Sequence, residues 1–236
     1  MALGADPIDA ISKVKLTQEK APPSIRIEKE TIASKEQLIR VRPKIGFPLT
    51  ALLNQVIIYE NDQAQVNYMG FTSGSWADFG YSRLIGAEGR KSLVFEKEGV
   101  LIQMVATTKE LEDWLTLLLR IDRMQTLRIR FHRSPEDWSL MGERFLTEEE
   151  LRQMEQKAGA RIARGIEQDM MIRRNKVKVR YYECITEQSA EKVGEKLAER
   201  KRSIGKRLVR GSGSIVVAVD SSTQELNEYV MGFVNW

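Results

Sequence analysis

Gln55-Val56-Ile57-Ile58-Tyr59 and Gln65-Val66-Asn67-Tyr68-Met69 stand on either side of Glu60-Asn61-Asp62. Both runs are rich in β-branched and aromatic residues, and the acids and asparagine between them favour a tight turn, so the pair reads as a β-hairpin. A second pair follows, Ser92-Leu93-Val94-Phe95 and Val100-Leu101-Ile102-Gln103-Met104, joined around Gly99. Next, Thr107 and Glu110 form a capping box that opens a helix with Leu111, Trp114, Leu115, Leu118 and Ile121 on one face. Hairpins followed by helices predict an α+β fold with an antiparallel or mixed sheet and three to four helices.

Downstream of this block the pattern mixes the two periods. Leu127-Arg128-Ile129-Arg130-Phe131-His132-Arg133 alternates strictly and reads as a strand. Ser134-Pro135-Glu136-Asp137 has the composition of a helix start. Thr147 with Glu150 is a second capping box, opening a helix over 147–174 whose seam is Leu151, Met154, Ala158, Ile162, Ile166 and Met170. The remainder predicts a strand over 176–186, a helix over 188–209 closed by Gly211, a strand over 214–220 and a helix over 222–233.

Upstream, residues 1–45 hold few large apolar side chains, and Ala21-Pro22-Pro23 interrupts any helix. They read as an extended N-terminal arm, with a short strand at Ser24–Glu28 and a brief helix at Ser34–Arg40, followed by an α+β domain over 46–236. A sub-boundary near 145 is compatible with the pattern. No repeat of 20–50 residues is visible.

Composition narrows the function. The 236 residues are 42% apolar and 30% charged, which excludes disordered and collagen-like classes. No apolar run approaches the ~20 residues of a membrane span, and residues 1–20 lack the apolar block of a signal peptide, so the expectation is a soluble, intracellular protein with no membrane partner. One cysteine, Cys184, and one histidine, His132, leave little for a metal centre or a catalytic triad. Cys184 lies on an expected strand and reads as a packed apolar group, and Asp220 and Ser221 read as caps of the last helix. No cofactor, metal or catalytic residue is expected. The near match to a phosphate loop, Gly86-Ala87-Glu88-Gly89-Arg90-Lys91-Ser92, has the wrong spacing and precedes a strand.

Charge gives the positive signal. Residues 1–150 carry 20 basic and 22 acidic side chains, whereas 151–236 carry 17 and 11. Arg128, Arg130 and His132 share one face of the expected 127–133 strand. Lys176, Lys178, Arg180 and Tyr182 share one face of 176–186, and Arg40, Arg42 and Lys44 alternate with Ile39 and Val41. Every charged group on these faces is basic. The expected 188–209 helix ends in Arg200, Lys201, Arg202, Lys206 and Arg207, with Arg210 just beyond. The glycine-rich stretch 70–91 adds Trp76 and Arg83, residue types that stack on bases.

Two functions are compatible with this pattern. The first is a non-catalytic protein that binds DNA or RNA through a basic sheet face and a basic helix, using Arg40, Arg42, Arg128, Arg130, His132, Lys176, Lys178, Arg180, Tyr182, Lys201, Arg202, Lys206, Arg207, Trp76 and Arg83. The second is a structural subunit of a larger assembly that docks onto other subunits through residues 1–45.

Overall fold

A computed structural model describes residues 6–46, 48–72, 77, 80, 81, 84, 92–199 and 205–236, with the backbone alone at Lys44, Ile45 and His132. The chain divides into two compact units, Met1–Ile121 and Asp122–Trp236. The first contains α1 (Pro7–Val14), β1 (Ile25–Ile32), α2 (Lys35–Ile45), β2 (Ala51–Tyr59), β3 (Asp62–Gly70), β4 (Leu93–Lys97), β5 (Val100–Ala106) and α3 (Lys109–Leu118). The second contains α4 (Arg123–Leu127), a 3-10 turn (Phe131–Arg133), β6 (Trp138–Phe145), α5 (Glu148–Ala158), β7 (Ile162–Ile172), β8 (Asn175–Cys184), α6 (Glu187–Glu199), β9 (Lys206–Ser212), β10 (Ile215–Ser221) and α7 (Gln224–Met231). The fold is α+β, with two antiparallel five-stranded sheets and seven helices of stated bounds among the described residues, rather than three to four.

Residues 7–45 are not an arm. Ile11, Val14 and Leu16 are buried against the first sheet, and β1 pairs along β2 from Ile25↔Tyr59 to Ile32↔Leu53. Sparse apolar content misled here because only one side of α1 and one end of β1 face the core. The expected strand at 127–133 is the end of α4, an extended link and the 3-10 turn; from Leu127 to Phe131 odd and even residues alike are buried, so the alternation there has no solvent side. The helix expected over 147–174 stops at Ala158, where Gly159 takes a left-handed φ of 60° and its N–H bonds the Glu155 carbonyl. Ile166 and Met170 then lie on one face of β7, because a spacing of four fits a strand as well as a helix, while a bulge between Ile162 and Arg164 turns Ile162 to the other face, beside Tyr182 and Cys184. The helix expected over 188–209 likewise ends at Glu199, and Lys206–Ser212 is the strand β9, entered through Gly205 at φ 92°. Ser134–Asp137 turns directly into β6, the Trp138 N–H bonding the Pro135 carbonyl. Thr108 caps α3, and Thr223 rather than Asp220 or Ser221 caps α7.

The second unit repeats the first. Strand order is β1-β2-β3-β5-β4 in one and β6-β7-β8-β10-β9 in the other. The β1–β2 bulge between Ile27 and Lys29 recurs in β6–β7 between Leu140 and Gly142, and 140 − 27 and 142 − 29 are both 113. The capping boxes Ser34–Gln37 and Thr147–Glu150, and the left-handed caps Gly46 and Gly159, keep that same spacing of 113.

A buried hydrogen-bonded lock also recurs. The Tyr68 hydroxyl donates to Gln55 Oε1 (2.8 Å), the Gln55 amide donates to the Leu16 carbonyl (2.8 Å) and to Glu30 (2.7 Å), and the Leu16 N–H donates to Tyr68 (3.2 Å). In the second unit Tyr181 donates to Gln168 Oε1 (2.7 Å), Gln168 donates to the Ile129 carbonyl (3.1 Å) and to Glu143 (2.8 Å), and the Ile129 N–H donates to Tyr181 (3.2 Å). Lys15 pairs with Glu30, and Arg128 with Glu143. All five positions are 113 apart: 128 − 15, 129 − 16, 143 − 30, 168 − 55 and 181 − 68. Side chains thus satisfy the backbone of a segment that crosses the sheet outside any ladder, which explains why Ile129 need not lie in a strand.

The same spacing makes Gly194 of α6 the counterpart of Tyr81, a fully buried side chain in the first unit. A methyl at Gly194 would touch Val209 and Val216 at 3.9 and 4.0 Å, ordinary contact distances. Gly194→Ala is expected to stabilise the protein by about 0.5–1 kcal/mol, checked by urea unfolding.

Candidate nucleic-acid interface

The alternation expected for β8 is present. Val177, Val179 and Tyr181 are buried in one core, and Lys176, Lys178, Arg180 and Tyr182 occupy the opposite face. Neighbouring strands, however, bring acids to that face. Glu167 of β7 is opposite Arg180 and Asp169 is opposite Lys178, while Asp220 of β10 is opposite Lys178 on the other side. Glu167 bonds Lys178 (2.9 Å), Arg180 (2.6 Å) and Arg144 (3.0 Å). Asp220 accepts from Arg207 Nε (2.5 Å) and Nη2 (2.9 Å) and from Arg180 (3.3 Å). Arg144 also grips Glu150 with two bonds of 2.7 Å. Four cations, Arg144, Lys178, Arg180 and Arg207, face four anions, Glu150, Glu167, Asp169 and Asp220. The centre of the face is therefore a charge-compensated ladder rather than a basic surface.

The remaining nominated residues separate. Arg128 and Arg130 are buried, and Arg128 belongs to the lock, so neither forms an exposed basic strand face. Tyr182 is buried with Ala190, Val193 and Leu197 and presents no ring for stacking. Arg40 and Arg42 lie on helix α2, not on a strand, where residues two apart point in different directions; Arg42 Nε donates to the Leu49 carbonyl at 2.7 Å. Arg207 is held by Asp220 on β9, leaving Lys206 exposed at the strand start. Trp76, Arg83, Lys201 and Arg202, and the side chain of His132, lie outside the described residues.

What the structure does gather is one end of the second sheet. Asn175 opens β8, Lys206 opens β9 opposite Ser221, and Lys178 faces Asp220, so Arg174, Lys176 and Lys206 share that end, all three exposed. Beside them lies a cavity of about 600 Å³, lined by Met141, Asp169, Met171, Lys176, Lys178 and Ser222 among others. Met141, Met171, Asp169 and Ser222 were not singled out by sequence. Met171 and Asp169 fell inside the misread helix, and Met141 followed the misread helix start, so no face could be assigned to them.

The titrating groups are structural. Burial would raise Glu167, yet hydrogen bonds from Lys178 and Arg180 hold it below the ordinary carboxylate value. The Arg144 bonds hold Glu150 at about 2. Both groups contribute stability above the unfolded value of 4.5 and lose it as pH falls through their folded values. Glu143, raised by burial ahead of its attraction to Arg128, acts with the opposite sign. Acidification from pH 4.5 toward 2 is expected to lower the thermal midpoint, with Glu150→Gln reducing that fall by no more than about 1 kcal/mol because the carboxylate is two-fifths exposed. Burial pushes the Cys184 thiol up to about 11, which makes it a poor nucleophile. Among the described residues no group of three or more His, Cys, Asp or Glu side chains could hold a metal ion, and no helix is long and apolar enough to cross a membrane.

No protein-family model, no curated protein and no solved structure matches this chain.

Proposed function

We propose that this is a non-catalytic nucleic-acid-binding protein whose contact surface is the Arg174–Lys176–Lys206 end of the second sheet. The observation that carries this reading is the placement of uncompensated positive charge. The first unit has 15 basic and 15 acidic side chains, the second 22 and 18, so the whole net charge of +4 belongs to the second. Within the second unit the sheet face is neutralised, whereas this end keeps exposed lysine and arginine. Lysine and arginine on a strand end reach phosphates and release counterions, which gives salt-dependent affinity. In the alternative reading, a structural subunit docking through residues 1–45, the docking element would be the folded α1 and β1, which belong to the first sheet and its core, rather than an extended arm.

The test is titration of labelled oligonucleotides at two salt concentrations. Binding should fall steeply with salt. Lys176→Glu with Lys206→Glu should weaken it at least about tenfold and lower the slope of log K against log salt by about two, since each phosphate contact contributes roughly 0.7–0.9. Absence of binding at low salt ends this reading.

A further inference from the structure

We infer that the cavity at this end of the second sheet receives an unstacked base, so that the ligand is a single strand. This rests on the nucleic-acid reading above and deepens it. The cavity, about 600 Å³, falls in the range of small-ligand sites. Its walls are of two kinds. Met141, an exposed side chain, and Met171 supply soft, polarisable thioethers that pack against a π-face without demanding one ring shape. Lys176 supplies a cation within the same enclosure, and Ser221 and Ser222 line it with hydroxyls that donate to the Thr223 carbonyl and to Asn175. Lys178 is already shared by Glu167 and Asp169, which leaves Lys176 and the neighbouring Lys206 for the phosphates on either side of the base.

The first unit supplies an internal comparison. At the spacing of 113, Asp169, Met171, Lys176 and Lys178 correspond to Val56, Ile58, Gln63 and Gln65. Strand pairing gives the rest: Asp220 faces Lys178 on the neighbouring strand as Val105 faces Gln65. The first unit therefore carries glutamines where the second carries Lys176 and Lys178, and these two lysines are no requirement of the architecture. A paired duplex keeps its bases stacked and out of reach of such a cavity, whereas a single strand can turn one outward at little cost.

Three probes of equal length separate the outcomes: a single-stranded 12-mer of thymidine, its duplex with the adenosine 12-mer, and a single strand of abasic sites with the same phosphates. The single strand should bind about tenfold or more tightly than the other two, the scale of one stacked base. Met141→Ala with Met171→Ala should remove most of that preference and leave the salt slope unchanged. Met141 is exposed, so Met141→Ala alone serves if the double variant folds poorly. Equal binding of abasic and base-bearing strands, or of duplex and single strand, overturns the inference and leaves the nucleic-acid reading standing. Failure of all three probes to bind at low salt overturns both.

Discussion

Glu143→Ala is expected to cost the second unit about 3–5 kcal/mol, the scale seen when one partner of a buried ion pair is removed. Arg128 and Glu143 have side chains only 6% and 3% exposed. The buried Arg128 guanidinium would lose the Glu143 carboxylate, and Gln168 would lose an acceptor for its amide. A domain's whole stability is about 5–15 kcal/mol, so this one change takes a large share. Glu30→Ala is the control. It removes the matching carboxylate in the first unit, but Lys15 and Glu30 are 22% and 32% exposed, and solvent can take over. Its cost should be about 1 kcal/mol. Hydrogen exchange of the β2–β3 and β7–β8 amides, compared between the two variants, reads each unit separately. Equal losses would show that the second lock is not desolvated as described.

The second large effect is at Asp220. Its side chain is 1% exposed and accepts three bonds from Arg207 and Arg180; Arg207 is itself 6% exposed. Asp220→Ala strands a buried guanidinium and is again expected to cost about 3–5 kcal/mol, measured by urea unfolding. Removing both charges should be far milder, because well-packed neutral replacements for a buried pair are often no worse than the pair. The first unit shows which replacements the fold accepts: strand pairing places Val105 where the second unit has Asp220, and Ser92, one residue before β4, continues the register to the position of Arg207. Arg207→Ser with Asp220→Val should recover more than half of the loss. A double variant as unstable as Asp220→Ala would refute the pairing as the source of the effect.

These two sites also show what could and could not be read from sequence. The hairpin around Glu60-Asn61-Asp62 and the Thr147–Glu150 capping box were legible because a turn and a cap are decided by three or four adjacent residues. The basic alternation of β8 was legible for the same reason. Its compensation was not, because Glu167 and Asp220 arrive from strands 13 residues before and 40 residues after Arg180. Leu127–Arg133 misled in another way. Alternation implies a strand only where one side is solvated, and here Arg128 is buried through a carboxylate 15 residues away. The repeat escaped notice because it is kept mainly where the lock, the caps and the bulge require it. Between those points Asn54 faces the same neighbours as Glu167, and Asn67 the same as Arg180, with no likeness of side chain.

That divergence matters while the chain is still folding. Two sheets of one order and one register within a single polypeptide invite their strands to be exchanged, since β8 could lie against β2 without any change of pairing. The outer faces oppose this. In the first sheet Asn54, Asn67, Gln103 and Ser92 form a row of neutral amide and hydroxyl bonds. In the second, Arg144, Glu167 and Arg180 occupy the corresponding row, with Asp220 and Arg207 completing the charge ladder. A β8 strand docked on β2 would bring Arg180 beside Asn54 and Lys178 beside Val56, stripping two cations of their acids. Like-for-like pairing satisfies every member of both rows, so the charges that looked like a binding face also tell each strand which sheet is its own.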